Sequence, residues 1–158
     1  MRRPRTSAPP PRERGHYCPQ ANVQFTLPHR IETGFDALYG LVITHAEDGL
    51  IRGEVNVGDE VKQPWGLVHG GVYAAMAESL ASTGTQMGCG EGKMAAGLSN
   101  LTSFMRPITE GTIHAVARAR HRGRTTWVWE VALTDDADRE CVLSRVTVAV
   151  RDVPADAV

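Results

Sequence analysis

One carboxylate stands alone in a long apolar stretch of this sequence. Glu78 is the only charged residue between Gly70 and Gly90, where most other side chains are small or apolar. A helix formed by this stretch should be buried on nearly all sides. Because burying an unpaired carboxylate costs free energy, something must use the carboxylate or shield it. A carboxylate of this kind can attack a carbonyl carbon or can take a proton from an attacking water.

A glycine pair, Gly70-Gly71, begins the same stretch. Backbone N–H groups at a helix N-terminus can stabilise charge on a carbonyl oxygen, and glycine lets a substrate approach closely. A glycine pair considered alone more often serves a tight turn. A helix rises about 1.5 Å per residue, so the Cα atoms of Gly70 and Glu78 should lie roughly 12 Å apart. We therefore predict that the two act on one substrate from different copies of the chain, across a two-fold interface.

Three polar residues lie close to this pair in the sequence. Ser82 follows Glu78 by one helical turn, where its hydroxyl can position the carboxylate or a water, or can simply pack as a small side chain. His69 is a residue type often used as a general base, but no partner evident in the sequence orients it. A role for His69 as a cap or brace of the turn is therefore favoured. Gln63 is a weaker candidate, whose amide can donate to a carbonyl or accept from water.

The apolar patterning predicts an α+β fold, in which an antiparallel sheet packs on one long helix. Helices are predicted at 29–39 and 70–88 from their apolar spacing and their bounding glycines. Strands are predicted at 41–46, 50–57, 95–105, 112–120, 125–133 and 141–150. Trp127 and Trp129 share one face of their strand, where they could line an acyl pocket, the core or a subunit interface.

Length and composition indicate one globular domain, predicted at 21–158. The 158 residues carry a formal net charge of -1 with 22% charged residues, which gives no support for a nucleic-acid partner. Cys18, Cys89 and Cys141 suggest neither a disulfide framework nor a metal site, so a cytoplasmic location is expected. No apolar run is long enough for a membrane span. Residues 1–20 are rich in arginine and proline and are expected to be a disordered tail.

Several separated motifs together resemble the hotdog-fold acyl-CoA thioesterases, most closely the Glu-dependent type of 4-hydroxybenzoyl-CoA thioesterase. The resemblance covers about residues 35–151. It rests on Gln63, Trp65-Gly66-Leu67-Val68-His69-Gly70-Gly71, Glu78, Ser82, Gly97-Leu98-Ser99-Asn100, Thr102-Ser103-Phe104, Arg106-Pro107, Thr125-Thr126-Trp127 and Val148-Ala149-Val150-Arg151.

The resemblance implies a sheet wrapped around a central helix, homodimers that assemble into homotetramers, and hydrolysis of an acyl-CoA thioester without a metal or redox cofactor. Glu78 would be the nucleophile or general base, and the Gly70 N–H would polarise the thioester carbonyl. Gln63 and His69 would support that end of the site, and Ser82 would assist the hydrolytic step.

The same resemblance implies that Arg106, Thr125 and Arg151 bind the CoA nucleotide. Arg124 stands where the family pattern has a small hydroxyl residue, so it could add a phosphate contact or could simply be exposed. The acyl group is expected to be 4-hydroxybenzoyl-like, with phenylacetyl or a broader acyl range as the alternative. A non-catalytic acyl-CoA sensor is the alternative from another functional class.

Overall fold

The computed structural model of the chain describes residues 26–154. The predicted tail at 1–20 lies outside these residues. The helices are α1 (Gly34–Leu38) and α2 (Gly70–Gly88), and a single 3₁₀ turn covers Asp59–Val61. The strands are β1 (His29–Arg30), β2 (Val42–Glu47), β3 (Leu50–Asn56), β4 (Lys93–Phe104), β5 (Thr112–Arg122), β6 (Thr126–Thr134) and β7 (Glu140–Asp152).

All strands described here join one antiparallel sheet with the order β1-β2-β3-β5-β6-β7-β4. The long helix α2 contacts β2 through β7, so the sheet curves around one side of it. The buried residues of α2 recur at alternating steps of three and one, which forms a single stripe along the helix. They are Tyr73, Met76, Ala77, Leu80, Ala81, Gly84 and Thr85.

The short helix α1 is held against α2 by a partly buried polar contact. Asp36 Oδ1 accepts hydrogen bonds from the Ser79 hydroxyl at 2.7 Å and from the Tyr39 hydroxyl at 2.5 Å. Burial raises the pKa of Tyr39, and the neighbouring Asp36 carboxylate raises it further. The phenol therefore stays neutral and donates, and α1 is fixed beside the turn of α2 that carries Glu78.

A tryptophan crosses α2 where the helix has a glycine. Trp129 is fully buried and donates its indole N–H to the Thr85 hydroxyl at 2.9 Å. A Cβ on Gly84 would come within 2.7 Å of Trp129 Cζ2 and 2.9 Å of Ile51 Cγ1, which is closer than packed carbon atoms approach. Glycine at this position lets the helix and the sheet pack together.

Gly84→Ala is expected to destabilise the fold by about 1–2 kcal/mol. Overpacking a core costs about 1–3 kcal/mol, and the better helix propensity of alanine returns up to about 1 kcal/mol. Urea denaturation measures the change, with Thr83→Ala on the half-exposed side of the same helix as the control. Equal or higher stability of Gly84→Ala would show that the core has room at this point.

Most predicted elements are confirmed, with strand ends moved by at most two residues. The hairpin between β2 and β3 turns at Asp48-Gly49, where Gly49 has a φ of 79°. The helix predicted at 29–39 is wrong in its first half. His29 and Arg30 instead pair with Ile43 and Val42 at the sheet edge, and only Gly34–Leu38 is helical. Within residues 26–154, no helix is both long and apolar enough to cross a membrane.

Candidate active site

The N-terminus of α2 presents one backbone donor that the fold leaves free. His69 is the N-cap residue, and its Nδ1 accepts the Gly71 N–H at 2.9 Å. Its carbonyl accepts the Val72 N–H at 2.9 Å. The Gly70 N–H has no acceptor among residues 26–154. The cap role favoured for His69 is confirmed, and its Nδ1 bond leaves Nε2 as the proton-bearing ring nitrogen.

A tight loop brings Gln63 to this helix end. The Gln63 N–H donates to the Leu67 carbonyl and the Gly66 N–H donates to the Gln63 carbonyl, both at 2.9 Å. Gly66 has a φ of 83°, a left-handed conformation that favours glycine. The loop then rejoins the fold through the His69 N–H, which donates to the Val61 carbonyl at 2.8 Å. Gln63 and Gly70 consequently line the same cleft.

The cleft beside the helix end has a volume of about 520 Å³. This is within the range of small-molecule sites, about 300–1,000 Å³. Most of its lining is apolar or aromatic. The lining residues are Gln63, Leu67, Val68, Gly70, Tyr73, Phe104, Met105, Arg106 and Pro107.

Two aromatic residues lie side by side in this cleft. The ring centroids of Tyr73 and Phe104 are 6.1 Å apart, and Phe104 Cζ lies 3.0 Å from where a Cβ on Gly70 would be. The Tyr73 hydroxyl is buried and has no hydrogen-bond partner among the described residues. Burial raises the pKa of Tyr73 to about 12, and the Ile108 backbone offsets a smaller part of this rise. The phenol is therefore neutral at physiological pH.

Glu78 lies on the face of α2 that the sheet does not cover. Its side chain is exposed, and it makes no hydrogen bond or ion pair with any other residue of 26–154. The prediction that α2 is buried on nearly all sides is therefore wrong for the single chain. The reason is that the sheet wraps one side of the helix only. The carboxylate reaches across to β4, where Glu78 Oε1 occupies the space beside Gly97.

Comparison with known proteins identifies the family. Residues 66–142 match the model of the Thioesterase superfamily. The chain is 37% identical over 131 residues to Rv1847 of Mycobacterium tuberculosis, provisionally named an esterase, covering 81% of this chain and 92% of that protein. Over 111 residues it is 34% identical to the proofreading thioesterase EntH of Klebsiella pneumoniae, covering 70% of this chain and 81% of that protein. This chain belongs to the thioesterase superfamily.

Solved structures confirm the hotdog fold of this thioesterase and its class as a thioester hydrolase. The Rv1847 structure superposes with a TM-score of 0.71 over 75% of this chain and 97% of that one, at 35% identity. A variant of SAV0944 from Staphylococcus aureus with one glutamate replaced by alanine superposes with a TM-score of 0.70, at 32% identity, over 72% of this chain and 94% of that one. A second SAV0944 structure, described as a thioesterase, has one glutamine replaced by alanine. That glutamine and glutamate are 15 positions apart in SAV0944, the same separation as Gln63 and Glu78 here.

The structure separates the thioesterase residues predicted to bind CoA into two groups. Arg106 lines the cleft at Gly70, whereas Arg124 lies beside Gly88 at the other end of α2. A helix of 19 residues spans roughly 27 Å. A single chain therefore does not bring the two groups together.

Both groups are anchored but remain exposed. Arg106 Nη1 donates to the Glu140 carbonyl at 2.6 Å. Arg151 Nη1 donates to the Thr125 carbonyl at 3.1 Å and to the Val150 carbonyl at 3.0 Å. Arg124 and the Thr125 side chain are exposed. These contacts use one nitrogen, Nη1, of Arg106 and of Arg151. The remaining N–H groups are available for an anion.

The structure shows where Ser82 and the two tryptophans lie, for which the sequence allowed alternative roles. Ser82 is half-buried one turn beyond Glu78, and its hydroxyl makes no hydrogen bond with any other residue that the structure describes. Trp127 and Trp129 are buried under α2 with ring centroids 6.1 Å apart. Their place is the core of the single chain rather than its open cleft.

Sequence reasoning assigned no role to Tyr73, Phe104, Gly97 or Asn100, which the structure places near Gly70 or Glu78. A glycine inside a strand pattern is a known sign of a bulge or a close approach, and Gly97 carried that signal. Tyr73 and Phe104 gave no such signal, because aromatic residues are ordinary in a helix stripe or a strand. No cluster of three or more His, Cys, Asp or Glu residues able to hold a metal occurs within 26–154.

Proposed function

We propose that this thioesterase hydrolyses an aromatic acyl-CoA of the 4-hydroxybenzoyl type, releasing the free acid and CoA. The observation that carries the proposal is the free Gly70 N–H at the mouth of an apolar cleft. A thioester carbonyl oxygen bound there would accept this N–H at the positive end of a long helix. Gln63 and His69 support the turn that presents the donor, and Arg106 lies at the rim of the same cleft.

In this mechanism Glu78 supplies the second half of the reaction. As a general base it takes a proton from water while the water oxygen attacks the thioester carbon. The carbonyl electrons move to the oxygen at the Gly70 N–H, and the C–S bond breaks as CoA leaves with a proton. As a nucleophile Glu78 instead attacks the thioester carbon and expels CoA to form a mixed anhydride, which water then hydrolyses to the free acid and the Glu78 carboxylate. Ser82, one turn away, would hold the water in either route.

The proposed site is shared by two copies of the chain. Glu78 is exposed in the single chain and has no nearby Gly70, because roughly 12 Å of helix separates their Cα atoms. The edge strand β4 supports a paired state, since unpaired strand edges with apolar side chains favour association. Exposed fractions reach 56% for Leu98, 71% for Leu101 and 59% for Phe104. Pairing would also unite Arg106 of one copy with Arg124, Thr125 and Arg151 of the other; a further assembly into tetramers stays a prediction.

The aromatic pair in the cleft favours an aryl acyl group. Tyr73 and Phe104 offer flat apolar surface next to the Gly70 donor, and aromatic rings pack well on such surfaces. The spacing that Gln63 and Glu78 share with the two residues altered in SAV0944 supports their place in the site.

Thiol release from a panel of CoA thioesters tests this proposal. We expect kcat/KM for benzoyl-CoA and 4-hydroxybenzoyl-CoA to exceed that for hexanoyl-CoA by roughly 10-fold or more, a difference of about 1.4 kcal/mol. Phenylacetyl-CoA in the same panel tests the alternative, since a methylene would move the ring deeper. Equal rates for all acyl groups would indicate a broad acyl-CoA thioesterase. Tight CoA binding with no thiol release from any thioester would favour the non-catalytic acyl-CoA sensor.

A cytoplasmic location stays a prediction.

A further inference from the structure

The exposed Glu78 side chain extends from α2 toward the edge strand β4, where its carboxylate lies next to Gly97. An added Cβ on Gly97 would overlap Glu78 Oε1 and would lie 3.1 Å from Glu78 Cδ. The carboxylate therefore occupies the volume that any side chain at position 97 would need. No left-handed backbone angle explains the glycine, because its φ is not among the positive ones. The feature of this position that the glycine does serve is the space beside the Glu78 carboxylate.

A bulge in β4 sets this approach. Gly97 pairs with Val148 of β7 and Ser99 pairs with Thr147, so Leu98 is an extra residue between two adjacent partners. A bulge bends its strand and redirects the flanking residues. Here it falls at the point where β4 passes Glu78.

Two side-chain contacts tie β4 to α2 on either side of Gly97. On one side, Asn100 Nδ2 donates to the Ala74 carbonyl at 2.8 Å, in the helical turn that precedes Glu78. On the other side, Gln86 Oε1 accepts the Ala95 N–H at 2.9 Å, and its Nε2 donates to the Lys93 carbonyl at 3.1 Å. The strand therefore cannot move away from the helix near Gly97 without breaking these bonds. The movable part of this contact is the Glu78 carboxylate.

We propose that Gly97 is a positioning residue for Glu78: its missing side chain and the bulge around it fix where the carboxylate points. This inference rests on the proposed role of Glu78 in hydrolysis. A substitution at Gly97 keeps the glutamate at position 78 but displaces its carboxylate, and the reaction is lost for that reason.

The test compares Gly97→Ala with a matched control, Gly58→Ala. A Cβ on Gly58 would likewise overlap a glutamate carboxylate, lying 2.6 Å from Glu60 Cδ, but on an exposed loop. The Gly58 backbone, with φ -89° and ψ 177°, accepts alanine. We expect Gly97→Ala to lower kcat on the order of 100-fold, since misplacement of a reacting group by about 1 Å can cost that much. KM and the thermal midpoint should stay close to wild type, and Gly58→Ala should match wild type throughout.

A rescue experiment separates positioning from general damage. Aspartate is one methylene shorter than glutamate, so Glu78→Asp should fit the space that remains in Gly97→Ala. We expect the double variant Gly97→Ala/Glu78→Asp to have a kcat at least equal to that of Gly97→Ala alone. Independent effects would instead multiply, and the double variant would be slower than either single variant. That second result would overturn the proposal.

Two further outcomes are decisive. If Gly97→Ala fails to fold, Gly97→Ala/Glu78→Ala should fold, because the conflicting side chain is gone; continued misfolding would show that Gly97 serves the fold alone. Glu78→Gln is measured in parallel. Wild-type turnover by Glu78→Gln would defeat the proposed function, whereas loss in Glu78→Gln with normal kcat in Gly97→Ala would defeat the positioning role only.

Discussion

Glu78→Gln should lower kcat for thioester hydrolysis roughly 1,000-fold while KM stays within about twofold. General-base catalysis contributes about 10²–10⁴-fold, and an amide can neither take a proton from water nor attack a carbonyl carbon. Glutamine has nearly the same shape as glutamate. Since the Glu78 side chain is exposed and unpaired among residues 26–154, the substitution leaves the core untouched. The loss is therefore expected in the chemical step and not in folding.

The measurement is single-turnover thiol release at saturating substrate, with the Kd of a non-hydrolysable thioether analogue determined alongside. Glu60→Gln, an exposed glutamate on the 3₁₀ turn, is the matched control and should behave as wild type. Normal turnover by Glu78→Gln would remove Glu78 from the mechanism. A parallel loss of analogue binding would assign it to substrate binding.

The sequence was sufficient for the architecture because its signals were local. The mostly small and apolar run that starts at Gly70 ends at Gly88, and the observed helix has the same bounds. The acidic-glycine turn at Asp48-Gly49 marked the first hairpin for an equally local reason. The helix prediction at 29–39 was wrong in its first half, because strand pairing at the sheet edge competes there with the helix that the apolar i, i+4 spacing favours. Phe35, a member of that spacing, is 66% exposed in the structure.

The surroundings of Glu78 could not be read from the sequence. An apolar helix looks the same whether its second face packs on its own sheet or on another copy of the chain. Only the structure shows that the sheet stops on one side of α2 and leaves Glu78 uncovered. The division of the residues predicted to bind CoA into two groups has the same origin, since it depends on strand register. Register includes the bulge at Leu98, which no spacing rule places.

Gly70→Pro should lower kcat on the order of 100-fold or more relative to Gly70→Ala. Gly70 is the first helical residue, where proline is favoured, and His69 has φ -68° and ψ 131°, which suits a residue before proline. Proline therefore removes the N–H while the helix start is kept. Alanine keeps the N–H but places the same Cβ against Phe104. Loss of one oxyanion donor costs about 10²–10³-fold in kcat.

The comparison is read from kcat and KM together. A lost donor lowers kcat, whereas a steric block by the proline ring raises KM. Equal kcat values for the two variants would show that the Gly70 N–H does not polarise the carbonyl. Circular dichroism and the thermal midpoint verify that α2 forms in both.

The same variant tests whether one site draws on two chains. When chains with Glu78→Gln and chains with Gly70→Pro exchange at equal amounts, half of the dimers are hybrids. If Gly70 of one copy acts with Glu78 of the other, each hybrid has one intact site and one doubly altered site. The mixture should then recover about a quarter of wild-type activity, although each parent is inactive. No recovery after confirmed exchange would contradict a shared site. Both residues would then have to act within one chain, where roughly 12 Å of helix separates their Cα atoms. Recovery would show that the exposed Glu78 of one copy acts together with Gly70 of the other copy.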